Sequence, residues 1–289
     1  MCEKKTAPLG QGVLSMALAN FDSWLRSPRT ILMLLFIAAI CYLQMCGYEM
    51  KLNETGYTMH LGETLFYEFK FGCNMPMTTV LFLIMVSELP RRIAYQQYSL
   101  IRSSRCRWMA AQLLYCLMMV VAMIALIALF IALMALPLVT PGSGWSDAAR
   151  IASGEIEPYE ALISEFILNN YTPFTATLLA MIPVFCFWLT MVFVILMFGV
   201  WGSPVFGVLM YAFLMVANVT ILFEAFPFQL ILPIQYATLD NIISGYDGKE
   251  IQQFLKVMGV YAALIVSLVV VMMISVKRVE LNFHAESKQ

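Results

Sequence analysis

The chain has 289 residues, of which 61% are hydrophobic and only 12% are charged, and its net charge is −1. Soluble domains are about 45–50% apolar and about 25% charged, so this composition excludes a single water-soluble domain. It also excludes intrinsic disorder, which requires the opposite balance, and the near-neutral charge gives no sign of a nucleic-acid partner. The composition therefore predicts a protein that crosses a membrane several times.

A membrane-crossing helix needs about 20 mostly apolar residues, and six stretches of the chain approach this requirement. They predict an all-α polytopic membrane protein in which residues 1–289 form a single transmembrane domain. The predicted spans are residues 30–48, 71–89, 109–136, 174–200, 204–223 and 255–276, and the predicted outer loops are residues 49–70, 137–173 and 224–254.

The segment before the first span is predicted to be an amphipathic helix that lies in the cytoplasmic membrane interface. Apolar side chains recur at helical spacing between Gly12 and Ser27, and the helix would bring an indole ring to the depth of the lipid headgroups. The side chains that carry this pattern include Leu14, Leu18, Phe21 and Trp24.

A short basic segment, residues 87–108, joins the second and third spans. The positive-inside rule alone would explain its arginines, which set the topology of the neighbouring spans. Its apolar residues, Tyr95, Tyr98 and Ile101 among them, are not needed for that purpose, and their exposure to the cytoplasm is typical of a surface that binds a partner.

Between the last two spans, residues 226–234 are apolar but too short to cross, and Pro227 and Pro233 interrupt them. Such a segment is expected to dip into the outer leaflet or to lie on it.

The distribution of charge predicts the orientation. With both termini in the cytoplasm, 12 of the 17 Lys and Arg residues lie inside, and 13 of the 18 Asp and Glu residues lie outside. The inverted topology would contradict the positive-inside rule. We therefore expect a multi-pass protein of the cell membrane with both termini cytoplasmic.

Motifs for several kinds of chemistry are absent from the sequence. There is no GxxxxGK[ST] nucleotide loop, no HExxH and no GxSxG, and the seven cysteines form no CxxC pair. We therefore expect no catalytic site, no metal and no cofactor. The predicted spans also carry no ionisable residue near their middles, whereas ion-coupled carriers usually need one. The sequence thus favours a passive protein, or one that another subunit drives.

The order of these segments resembles the membrane subunit of type-2 ABC exporters, the ABC-2 permease family, over nearly the whole chain. The interfacial helix is followed, after the second span, by Glu88, a short basic helix and Ser103-Ser104-Arg105, and the outer residues 232–242, which include Tyr236, resemble the loop of the family that often dips back into the membrane. Two features depart from the family: the outer loop 137–172 is longer, and Gln112 stands where a lysine is frequent.

The resemblance implies that the basic segment is a coupling helix that binds an ABC ATPase, with Glu88 and Arg105 as bracing residues. A second permease copy or a homologue would pair with this chain in the membrane lipid, and the pathway between the two would export a hydrophobic or amphipathic substrate, such as a peptide, lipid or drug. The coupling residues would be Glu88, Arg91, Arg92, Tyr95, Tyr98, Ile101, Arg102 and Arg105, and the outer re-entrant segment would contain Pro227, Pro233 and Tyr236.

Two other functions stay open at this point. A membrane sensor or assembly partner that uses its acidic outer loops would show neither ATPase association nor efflux. A secondary carrier is disfavoured because the predicted spans have no ionisable residue near their middles.

Overall fold

A computed structural model describes residues 9–55, 58–70, 74–90, 104–140, 142–146, 149, 165–219, 237, 239, 242 and 249–278. The chain is mostly helical, as the sequence predicted. In chain order the helices and strands are α1 (Leu9–Leu25), α2 (Pro28–Thr55), β1 (Met59–His60), α3 (Leu61–Lys70), α4 (Asn74–Val86), α5 (Arg105–Ala135), β2 (Val139–Thr140), α6 (Glu165–Asn170), α7 (Pro173–Val200), α8 (Pro204–Val219) and α9 (Glu250–Arg278).

Four helices in the described part of the chain are long and apolar enough to cross a membrane. Their positions agree with the first, third, fourth and sixth predicted spans. At the second and fifth predicted spans the structure has the shorter apolar helices Met77–Val86 and Pro204–Met215. The four long stretches are Pro28–Gly47, Arg105–Ala135, Pro173–Val200 and Glu250–Val276.

Large apolar side chains cover the outside of the helices. A water-soluble monomer rarely exposes contiguous apolar surface of this kind, so the exposure indicates a membrane protein. Examples that are more than half exposed are Leu35, Leu43, Phe206, Phe213, Leu255 and Val260.

Helix α7 is the centre of the bundle, since it packs against α3, α4, α5, α8 and α9. It begins after Thr172, whose hydroxyl accepts from the backbone N–H of Thr175, and Pro173 occupies its first turn, where the missing N–H costs no hydrogen bond. The chain leaves the helix through Gly202, whose φ of 113° is available without strain only to glycine, and then enters α8.

Helices α3 and α4 follow α7 along its length in the same direction. The hydroxyl of Thr177, near the start of α7, donates to the carbonyl of Gly62 at 3.0 Å, and the indole of Trp188 donates to the hydroxyl of Thr79 at 2.9 Å. At the other end of α7, Gly199 lies directly against the backbone of Leu89. Residues 49–70, which were predicted as an outer loop, therefore contain the end of α2 and a helix that belongs to the bundle.

The two ends of the bundle are built differently. At one end, which we call the Arg29 end, the side chains of Trp24, Arg29, Glu88 and Tyr115 line one small cavity. At the other, which we call the His60 end, β1 and β2 form a two-stranded parallel pair that the sequence did not predict, with His60 opposite Thr140.

Candidate functional site

The structure describes only part of the predicted site. Glu88 and Arg105 are described, as are all four residues of the predicted interfacial helix. The other coupling residues, Arg91, Arg92, Tyr95, Tyr98, Ile101 and Arg102, and the re-entrant residues, Pro227, Pro233 and Tyr236, lie outside the described residues.

Glu88 lies at the Arg29 end and is fastened to the start of α2. The guanidinium of Arg29 donates to its carboxylate at 2.7 Å and, through its other terminal nitrogen, to the hydroxyl of Ser87 at 2.7 Å. The two charged side chains are 35% and 56% exposed, so water screens the pair and its main effect is to set geometry rather than to add stability. It fixes the point at which the chain enters residues 91–103.

Arg29 was not among the predicted site residues. A sequence signal did exist, because Arg29 precedes the first predicted span and Glu88 lies at the end of the second, so an up-and-down pair of helices brings the two charges to the same end. Helix α2 does pack against α4, which makes this contact possible across 59 positions of sequence.

Helix α5 also begins at this end. Its N-cap is Ser104, whose hydroxyl accepts from the backbone N–H of Arg107 at 3.4 Å. Arg105 is exposed in the first turn, while Trp108 is buried one turn later. Arg105 is therefore presented at the same end of the bundle as the pair of Arg29 and Glu88.

The segment predicted to be an interfacial helix forms helix α1, which packs along α5. Trp24 is 3% exposed and its ring lies 5.5 Å from that of Phe21, so the indole belongs to the protein core rather than to the helix surface. Leu14 and Leu18 are about half exposed on another face. One stripe of α1 thus binds the bundle, and a second apolar stripe stays uncovered.

The cavity at the Arg29 end has a volume of about 10 Å³. This is the space of a single water molecule, so the cavity is too small for a substrate. A larger and wholly apolar groove of about 370 Å³ lies between α5 and α7, where Val121, Ala125, Ile182 and Phe185 are among its walls.

A buried polar cluster at the His60 end was missed by the sequence reasoning. The carboxylate of Glu63, which is completely buried, accepts from the backbone N–H and the hydroxyl of Ser146 and from the backbone N–H of His60. The ring of His60 in turn contacts the carbonyl of Gly144 at 2.7 Å. The cluster attaches residues 142–146 to the first turn of α3.

The position of Glu63 could have indicated part of this cluster. A glutamate three residues after a helix start commonly reaches back to the N-cap backbone N–H, as Glu63 does to His60. The bond from Ser146 could not have been foreseen, because it spans 83 residues. Next to it, the indole of Trp145 donates to the carbonyl of Tyr171 at 2.7 Å.

A second glutamate of α3, Glu68, lies deeper in the bundle and is 4% exposed. The side-chain amide of Gln44 on α2 donates to its carboxyl. Gln112 on α5 is also completely buried, and neither atom of its amide has a hydrogen-bond partner among the described residues. Of these three side chains, Glu68, Gln44 and Gln112, only Glu68 can change its charge by exchanging a proton.

Among the described side chains, no three His, Cys, Asp or Glu residues are grouped closely enough to hold a metal ion. The described cysteines are unpaired thiols: Cys41, Cys46, Cys106, Cys116 and Cys186.

No family model, no curated protein and no solved structure matches this chain.

Proposed function

We propose that this chain is the membrane subunit of an ATP-driven exporter of the ABC-2 permease type, which moves a hydrophobic or amphipathic molecule across the cell membrane. In this proposal the chain crosses the membrane six times with both termini in the cytoplasm. Helices α3 and α4 in succession form the second crossing. Each of the other five crossings is a single helix: α2, α5, α7, α8 and α9.

The second crossing is the least regular, and packing supports it. Helix α4 alone has 13 residues, which is about 20 Å and too short to cross the apolar core of a bilayer. Helices α3 and α4 together run from Gly62, beside the start of α7, to Leu89, beside its end. Because α7 has 28 residues and is about 42 Å long, a pair of helices that follows it traverses the same thickness.

The Arg29 end is assigned to the cytoplasm. Arg26, Arg29, Arg105 and Arg107 lie at this end, whereas the described lysine side chains on the predicted outer side are Lys249 and Lys256 at the start of α9, and Glu63 is buried at the His60 end. This distribution follows the positive-inside rule.

The observation that carries the proposal is the bracing of Glu88 by Arg29 immediately before the basic segment 91–103. A coupling helix must transmit a push from an ATPase to the spans, so its attachment to the bundle has to be stiff. The bidentate contact of Arg29 with Glu88 and Ser87 joins the first two crossings at that point. Helix α1 ends beside it, because Trp24 lines the same cavity as Glu88.

The energy source is assigned to a separate subunit because the sequence has no nucleotide-binding loop. ATP-driven closure of two ATPase subunits would move residues 91–102 and α1 together as a rigid body. The apolar groove between α5 and α7 offers a surface for a lipid-like or hydrophobic substrate beside the pathway.

The test is affinity purification of the tagged full-length chain from its native membranes. We expect a P-loop ATPase to co-purify and to give vanadate-sensitive ATP hydrolysis. The triple charge reversal Arg91→Glu, Arg92→Glu and Arg102→Glu should abolish co-purification. Lys249→Glu is the matched control, because Lys249 is exposed at the start of α9, on the predicted outer side, and its reversal should leave the complex intact.

Two results would refute the proposal. One is purification of the wild-type chain without any P-loop protein, which would favour the membrane sensor that acts through its outer loops. The other is a triple variant that binds the ATPase as well as the wild-type chain does, which would remove the coupling role of residues 91–102.

A further inference from the structure

Glu68 is a carboxyl group enclosed by the protein. It is 4% exposed, on a helix whose neighbouring residues Phe66 and Phe69 are also buried. One contact is known, the donation from the side-chain amide of Gln44. Its Oε2 atom has no hydrogen-bond partner among the described residues.

Among the described residues, the helices around Glu68 carry few titratable side chains. On α2 the buried thiol of Cys41 interacts with Glu68, and on α3 the titratable groups with described side chains are Tyr67, the preceding residue, and Glu63, five residues earlier. The described side chains of α4 include no titratable group, and α7 carries only Cys186. Helix α5 carries Tyr115 and Cys116 within the bundle, with Cys106 and the positive charges of Arg105 and Arg107 near the Arg29 end. Among the described side chains, no cation neutralises Glu68.

Glu63 shows what a buried carboxylate requires. Three donors, two from Ser146 and one from His60, face its two oxygens. Glu68, on the same helix, has only the amide of Gln44 as a described donor. Burial of a carboxylate without neutralising partners is so costly that such a group takes up a proton instead. The two glutamates of this helix therefore differ: three donors meet the carboxyl of Glu63, whereas Glu68 lies in a site that favours the neutral carboxylic acid.

The position of Glu68 along the bundle follows from its partner. Gln44 is 15 residues beyond Arg29 on α2, which is about 22 Å along a helix. The apolar stretch of α2 is Pro28–Gly47, about 30 Å long, so Glu68 lies beside the last third of it. Between helices whose outer faces are apolar, a group that can gain or lose a charge is functional more often than structural.

We propose that Glu68 is a proton-binding site of the bundle. In the arrangement described, its carboxyl holds the proton. Release gives the proton to a water molecule and leaves a carboxylate, which needs water or further donors around Oε2. The contact of α3 with Gln44 on α2 must loosen to admit them, so proton release is linked to a displacement of α3. This inference does not depend on whether an ATPase drives the protein.

The experiment uses the full-length chain in phosphatidylcholine nanodiscs and follows protonated carboxyl groups by infrared spectroscopy as the pH is raised. The C=O stretching band of a buried carboxylic acid should persist at pH 6, where exposed carboxyl groups have ionised, and should disappear reversibly at higher pH. It should be absent from Glu68→Gln and unchanged in Glu49→Gln, because Glu49 is exposed on α2. If Glu68→Gln does not fold, Glu68→Asp serves instead, since a shorter carboxylic acid shifts the band.

Hydrogen exchange of α3 amides provides the second readout. At the alkaline end of the titration, wild-type α3 should exchange at least about tenfold faster than α3 of Glu68→Gln measured at the same pH, whereas the two proteins should match at pH 6. The proposal is overturned if the wild-type chain has no such infrared band, if the band survives in Glu68→Gln or is unmoved in Glu68→Asp, or if exchange of α3 does not differ at alkaline pH.

Discussion

The indole N–H of Trp188 donates a 2.9 Å hydrogen bond to the hydroxyl of Thr79, and both side chains are almost completely buried. The bond joins the centre of α7 to the middle of α4. A buried donor left without its acceptor costs about 1–3 kcal/mol, so Thr79→Val, which keeps the shape and removes the acceptor, should lower the free energy of unfolding by that amount. Denaturant titration in detergent micelles measures it.

The matched variant is Trp188→Phe, which removes the donor. In the double variant no donor is left unsatisfied, so its loss should be smaller than the sum of the two single losses. Strict additivity of the two losses would show that the bond contributes nothing to stability.

Two glycines inside helices should respond in opposite ways to alanine. A Cβ at Gly199 would collide with the carbonyl of Leu89 and the ring of Pro90, whereas a Cβ at Gly259 on α9 would meet no atom within 4 Å. Gly199→Ala should therefore destabilise by about 1–3 kcal/mol, as overpacking does. Gly259→Ala should be neutral or stabilise by up to about 1 kcal/mol, because alanine is the better helix former.

Thermal unfolding of the two variants in the same detergent gives the comparison. Equal midpoints would mean that α7 can move away from Leu89 without cost, and that the close approach of α7 to the end of α4 is not a fixed feature of the fold.

The long helices could be predicted from the sequence because each is a continuous apolar run, and hydropathy over about 20 residues is sufficient to find such runs. Helix α1 could be predicted because its apolar residues repeat with the helical period. The burial of Trp24 could not, since an amphipathic stripe has the same pattern whether it faces lipid or another helix.

Helix α3 was predicted as outer loop because Glu63, Glu68 and Lys70 interrupt its apolar residues. Hydropathy assumes that a carboxylate must reach water, whereas Glu63 is satisfied by Ser146, a residue far away in the sequence. The predicted spans carry no ionisable residue near their middles, and Glu68 lies before the second of them in the sequence. Its contact with Gln44 nevertheless places a carboxyl beside the first span, and only the packing of α3 reveals it.

The pair of Arg29 and Glu88 should add little to stability. Because both side chains are partly exposed, Glu88→Gln should change the free energy of unfolding by less than about 1 kcal/mol. Under the proposed function it should nevertheless weaken co-purification of the ATPase, since it loosens the attachment of residues 91–103. Arg29→Glu combined with Glu88→Arg should recover binding better than either single reversal does.

The control for that prediction is Asp22→Asn. This change breaks another exposed ion pair, which joins Asp22 on α1 to Arg26 just after the end of that helix. Loss of ATPase binding in Asp22→Asn to the same degree as in Glu88→Gln would show a general effect of charge at the Arg29 end rather than a bracing role of Glu88.

The attachment of residues 142–146 to α3 should depend on the hydroxyl of Ser146. Ser146→Ala removes a 2.8 Å donor from the buried carboxylate of Glu63, and a hydrogen bond to a charged group contributes about 1.5–3 kcal/mol. We expect a loss of stability of that order, together with faster hydrogen exchange of the amides of residues 142–146. The matched control is Ser143→Ala, because Ser143 is exposed in the same segment and its substitution should change neither quantity. If Ser146→Ala and Ser143→Ala behave alike, the backbone N–H of Ser146 is sufficient to hold the segment, and the hydroxyl has no part in it.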